Sequence, residues 1–218
     1  MKNFILNSRL FMVVLLLPFI TSNLFAQNAK LDIFDNKNQV TWLGVDFSEV
    51  RFVGPASDWG DAIVKTPTEM RDKYFPAWND LILNEPNAFK VADAINRSEI
   101  INDISAITTV NNKTDKKDIF TEDISSYQSL NESAVARMVK KYNLKDKNGI
   151  GFLLIAEGMS KGKNEASYWV TFIDMHSKEV ILTKRMTGKA SGFGFRNYWA
   201  GSIKSVFKSM KKEFKHWE

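Results

Sequence analysis

The chain predicts an α+β or α/β fold, with a single domain over 39–218 in which a mixed sheet carries helices on at least one face. Three stretches support this. Residues 150–156 are an unbroken apolar run of strand length, as a central strand buried on both faces requires. Residues 168–174 and 179–187 follow as two more strands, so the three make an antiparallel meander. Residues 195–217 then place apolar side chains every three or four positions, the stripe of a long amphipathic helix packed on that sheet. At 44% hydrophobic and 12% aromatic, the 218 residues can fill one sizeable core.

In chain order, 1–26 reads as a signal peptide. Lys2 and Arg9 give a basic start without acidic residues, an apolar run covers 10–20, and Leu24-Phe25-Ala26 offers cleavage after Ala26. That run is well short of the roughly 20 apolar residues that span a bilayer core. The expected location is therefore periplasmic or secreted. Residues 27–38 are polar and read as a flexible lead-in. The formal charge of +5 loses Lys2 and Arg9 with the signal and falls to +3. So mild a balance, on an exported chain, gives no reason to expect nucleic acid as a partner.

Residues 40–53 are rich in β-branched and aromatic side chains and stop at Gly54-Pro55, a strand with an irregularity near Ser48. Thr66-Pro67-Thr68-Glu69 begins a helix, with Thr66 as cap and Pro67 at the first helical position. Pro76 should kink or divide that helix, and Glu85-Pro86 should end it. A short helix follows over 87–95, with Phe89, Val91, Ala92 and Ile95 facing inward. Residues 104–110 fit a strand, and 111–118 a solvated loop. Ser129-Leu130-Asn131-Glu132 again resembles a capping box, ahead of Val135, Met138, Val139 and Tyr142 on one helical face. Residues 157–165 form a glycine- and lysine-bearing turn, 175–178 a tight turn, and 188–194 a glycine loop leading into the last helix.

Few residues suggest chemistry. The absence of cysteine excludes disulfides, a thiol nucleophile and thiolate metal sites. His176 and His216 sit in a turn and at the chain end, so a serine triad and a zinc site both lack their histidine. No metal and no cofactor is expected. Asp46 and Glu49 are paired carboxylates on the first strand, suited to acid–base work but equally to facing solvent or capping a bend. The 188–196 loop places glycines, Lys189 and Arg196 ahead of a helix, where backbone N–H groups can meet an anion. It matches neither the Walker nor the dinucleotide pattern. The simpler reading makes it a tight strand-to-helix turn with Phe193 and Phe195 plugged into the core. Lys204, Lys208, Lys211, Lys212 and Lys215 line the polar side of the last helix, either as a solvated face or as a contact for an anionic membrane.

Trp42-Leu43-Gly44-Val45-Asp46-Phe47-Ser48 and Gly192-Phe193-Gly194-Phe195-Arg196-Asn197-Tyr198-Trp199, with a signal ending Phe25-Ala26-Gln27, resemble a group of functionally uncharacterised exported proteins of Bacteroidota. The resemblance covers most of the chain after the signal and implies no activity. The closing order of helix, three strands and helix is similar to periplasmic α/β domains of envelope-assembly proteins. These include the curli-secretion channel subunit and the amino-terminal domain of the Tol-associated translocation protein. The expectation is thus a non-enzymatic binding or assembly module of the cell envelope with a protein partner. The alternative is a small-molecule-binding or enzymatic domain whose site joins Asp46, Glu49, Lys189 and Arg196, which requires those residues to converge on one pocket.

Overall fold

β5 (Ile150–Ser160) is the axis of the fold in the computed structural model, which describes residues 32–59, 66–114 and 119–217. These fall in one compact unit, and the signal peptide expected over 1–26 lies outside the described residues. Every side chain of β5 is buried, because both its faces and both its edges are covered. Along one edge, β1 (Val40–Asp46) and β2 (Arg51–Val53) lie end to end and parallel to it. Along the other runs antiparallel β6 (Glu165–Asp174), followed outward by antiparallel β7 (Glu179–Lys189). β3 (Ile101–Asn102) extends the sheet beyond β1, and β4 (Phe120–Thr121) beyond β2, both parallel.

The mixed α/β architecture is therefore the expected one, but the meander differs in detail. Its first strand is also the partner of the parallel half, so the three strands are one side of a larger sheet. Residues 157–160, expected in a turn, instead continue β5. Glu157 and the glycine at 158 suggested a turn. The glutamate is tolerated in the strand because Arg185 pairs with it, and Gly158 because the Tyr127 carbonyl oxygen would sit 2.1 Å from any Cβ there.

The irregularity near Ser48 is the break between β1 and β2, where the Val50 N–H turns back to the Phe47 carbonyl (3.2 Å). A bulge precedes it at Gly44, whose φ of 105° favours glycine and whose Cβ would stand 2.8 Å from Asn79 Oδ1. Two buried asparagines complete the hydrogen bonding that the sheet gives up. Asn79 accepts from the Val45 N–H (2.7 Å) and donates to its carbonyl (3.0 Å). Asn111 accepts from the Phe47 N–H (2.8 Å) and donates to the Val45 carbonyl (2.9 Å).

Helices cover both faces of the sheet. On one, α2 (Phe75–Asn84) and α7 (Phe195–Glu213) bury Phe75, Trp78, Trp199, Ile203 and Phe207 against Trp42, Phe152 and Phe172. On the other, α5 (Ser105–Asn112) and α6 (Glu132–Lys141) bury Ile107, Val135 and Val139 against Leu43, Leu153 and Ile155. The α2 helix is preceded by α1 (Pro67–Glu69), capped as expected by Thr66 Oγ1, and by a π-helical turn over Met70–Tyr74. That wide turn is the effect of Pro76, which brings no N–H and needs room for its ring.

Four expectations require correction. Residues 104–110, read as a strand, form α5: their β-branched composition favours a strand, but Ala106, Ile107 and Val110 meet a core only at helical spacing. The helix expected over 87–95 is two single turns, α3 (Pro86–Phe89) and α4 (Val91–Ala94), parted by Lys90 at φ 52°. Asn131 rather than Ser129 caps α6, accepting from the Ala134 N–H. Residues 32–38 of the lead-in are docked: Ile33 is buried, Phe34 packs on Phe214, and Arg97 donates to the Ile33 and Asp35 carbonyls.

Candidate functional site

The link from β7 to α7 is held at both ends by its own backbone. The Ala190 N–H donates to the Asn164 carbonyl (2.8 Å), and the Ser191 N–H to the Tyr198 carbonyl (3.0 Å). Tyr198 Oη donates to Asn164 Oδ1 (2.5 Å), fixing the loop to the β5–β6 turn. From the helix side, Trp78 Nε1 donates to the Arg196 carbonyl (2.8 Å). Between these anchors, Gly192 and Gly194 take φ of 123° and 77°, and the chain arches outward.

Phe193 stands at the top of that arch, 96% exposed. It was expected in the core beside Phe195, and the reason it is not lies in the helical stripe. Phe195, at the first position of α7, packs among Tyr74, Trp78 and Phe52, whereas Phe193 precedes the helix between two glycines that bring no side chains to cover it. A phenyl ring so placed forgoes about 2 kcal/mol of burial.

Beside the loop lies a cleft of about 580 Å³. Its floor is aromatic: Trp59 stacks on Trp199 with centroids 5.8 Å apart, and Tyr74 meets Phe195 edge-on at 4.8 Å. Its rim carries Ser57, Asp58, Phe193 and Lys161, whose ammonium lies 3.7 Å from the centre of the Tyr198 ring. Such a surface suits binding. Ring faces take apolar or planar groups, and the charged rim orients them.

The carboxylates named from the sequence lie elsewhere. Asp46 is buried on the α6 side of the sheet, where its carboxylate accepts from Tyr142 Oη (2.6 Å) and from the Ser48 N–H (2.7 Å). Burial pushes its carboxyl above the ordinary 3.8, the Tyr142 and Ser48 hydrogen bonds pull it back, and the nearby Glu49 charge adds a smaller upward push. Glu49 is half-buried at the break after β1. Lys189 and Arg196 are exposed at the end of β7 and the start of α7, and the Lys189 N–H donates to Ser205 Oγ (3.2 Å). Neither Asp46 nor Glu49 lines the clefts beside the glycine loop, and Asp46 is taken up by Tyr142 and Ser48 instead. Asp46 acts as a clip that ties the strand break to α6.

Sequence reading also missed an ion pair whose carboxylate is buried. Glu157 is fully buried and accepts from Arg185 Nε and Nη2 (both 3.0 Å), from Ser167 Oγ (2.9 Å) and from the Leu130 N–H (2.7 Å). Arg185 also lies over the Trp169 ring at 4.6 Å. The pair fastens the segment before α6 to the sheet. Of the α7 lysines, Lys211 is tied to Asp93 and Lys204 to Glu85. Among the described residues, no helix is long and apolar enough to cross a membrane, and no three His, Asp or Glu side chains gather around a point that could hold a metal ion. Compared with protein-family models and with curated proteins, the chain matches none.

Proposed function

We propose that this is an exported protein of the cell envelope that binds a protein partner through the Phe193 loop rather than performing catalysis. The observation that carries the reading is the phenyl ring of Phe193, 96% exposed on a loop pinned at both ends. Exposed aromatic anchors on ordered backbone recur as hot spots because little order remains to be lost on binding. The adjoining aromatic cleft gives such a partner a second foothold. The signal-like residues 1–26 and the resemblance to exported Bacteroidota proteins support the envelope location.

The test is recovery of complexes from crosslinked envelopes with the wild-type chain and with Phe193→Ala. The substitution removes an exposed ring, so stability should change by no more than about 0.5 kcal/mol. A defined partner should be recovered with the wild type and reduced at least about tenfold by the variant. Equal recovery from both chains would remove Phe193 from the interface.

The cleft favours a second reading, a small ligand held over the Trp59, Tyr198 and Trp199 rings. That reading depends on Lys161 and Tyr198, so Lys161→Ala would weaken ligand binding while Phe193→Ala would leave most of it.

A further inference from the structure

The two edges of the sheet are built differently. One consists of β3 and β4, two residues each, too short to template a neighbour. The other is β7, which runs for 11 residues. Ladder alternation fixes which of its backbone groups are spoken for. The Ala190 N–H bonds to the Asn164 carbonyl, and in the register Gly188↔Ala166, Met186↔Tyr168, Lys184↔Val170 the even-numbered residues exchange hydrogen bonds with β6. The odd-numbered residues Thr183, Arg185 and Thr187 therefore turn N–H and C=O away from the sheet. Lys189, next in that series, confirms the direction: its N–H reaches Ser205 Oγ on α7. Among the described residues, nothing bonds the outward backbone groups of Thr183, Arg185 or Thr187.

The surroundings of this edge are basic. Lys184 and Lys189 lie on the strand itself, whose Arg185 is already paired with Glu157 and whose one acidic residue is Glu179 at its start. Ser205 marks the flank of α7 that runs beside the edge, and Lys208 and Lys212 follow it on that flank at helical spacing. From the other face, Lys140 of α6 donates to the Ser177 carbonyl (3.1 Å) in the turn that starts β7, with Arg137 one helical turn before it. Open edges are commonly guarded by lysine, and here the guard selects. A second copy pairing antiparallel with Lys184 at its centre would set the two Lys184 side chains against each other, which like-charge repulsion disfavours.

We propose that β7 accepts an extended, acidic segment of a partner protein as an added strand. Main-chain hydrogen bonds from Thr183, Arg185 and Thr187 supply the pairing, and the lysine flanks select the charge. The proposal goes beyond the Phe193 loop and uses none of its residues, so either can fail alone.

The test is residue-resolved amide hydrogen exchange on the ¹⁵N-labelled protein. Measurements are made alone, with a capped peptide alternating valine and glutamate, and with its lysine counterpart. In the protein alone, the amides of Thr183, Arg185 and Thr187 should exchange at least about tenfold faster than those of Leu182, Lys184 and Met186. The acidic peptide should slow the first set by about tenfold or more, and the lysine peptide should leave it unchanged. Thr187→Pro, which removes an outward N–H and no β6 bond, should abolish the effect. Should that variant not fold, Lys184→Glu with Lys212→Glu should abolish it instead. Protection already present in the dilute protein, protection that grows with protein concentration, equal protection by both peptides, or none from either would each overturn the proposal.

Discussion

Asp46 and Glu157 show how differently two buried carboxylates are held. Glu157 has a full set of partners centred on Arg185, whereas Asp46 is held by Tyr142 and Ser48 with no cation. The consequence for Asp46 is a carboxyl raised above 3.8, chiefly by burial. A carboxyl raised by folding keeps its proton in the native state where the unfolded chain has already lost it. Stability therefore falls as pH rises from about 4 through the folded value, and the loss is complete above it. In Asp46→Asn this fall disappears. Urea unfolding of both chains between about pH 4 and 7 should show the variant gaining on the wild type as pH increases; a constant difference would mean that Asp46 does not titrate in that window. Sequence alone picked out Asp46 but not its role, because the partners that consume it, Tyr142 and Ser48, are found only by folding. Glu157 was passed over for the opposite reason: next to glycine it looks like a turn, and only Arg185, 28 residues on, makes it a strand residue.

Among the elements, those with a repeated apolar pattern were readable. β5 shows as an uninterrupted run, and α6 and α7 as stripes whose spacing matches the faces they bury. Where composition and spacing disagreed, spacing was the better guide, as α5 shows with its strand-like residues wound into a helix. The seam between β7 and α7 rests on a feature that spacing cannot reveal. Gly188 faces α7 so closely that an added Cβ would lie 2.0 Å from the Ser202 carbonyl oxygen, a contact with backbone rather than with a side chain that could swing away. Ser202 itself is buried and bonded to Tyr168 Oη (2.7 Å), so the helix has no slack to withdraw. Gly188→Ala should therefore cost about 2 kcal/mol or more, read as a lower denaturant midpoint with an unchanged slope. A variant as stable as the wild type would show that the helix shifts freely on the sheet.

Taken together, the fold is a sheet with a core on each face and its accessible aromatic surface gathered at one end. The α7 side carries the larger aromatic core, in which Phe152 stacks on Phe172 at 4.8 Å and meets Trp42 at 4.9 Å. That core continues through Trp199 and Phe195 to the cleft, so the surface proposed for binding is the outer margin of the larger aromatic core. The sequence marked the glycine loop as distinctive but pointed to its charges, whereas the structure draws attention to Phe193. The measurement that bears most directly on a partner-binding role is photocrosslinking in intact envelopes from a photoreactive phenylalanine derivative at position 193. Position 124 serves as the control, since Ile124 is also an exposed apolar residue, at 74%. Binding through the loop predicts one discrete adduct from position 193 and none from position 124. No adduct from either, or the same set from both, would show that the exposed ring of Phe193 meets no specific partner.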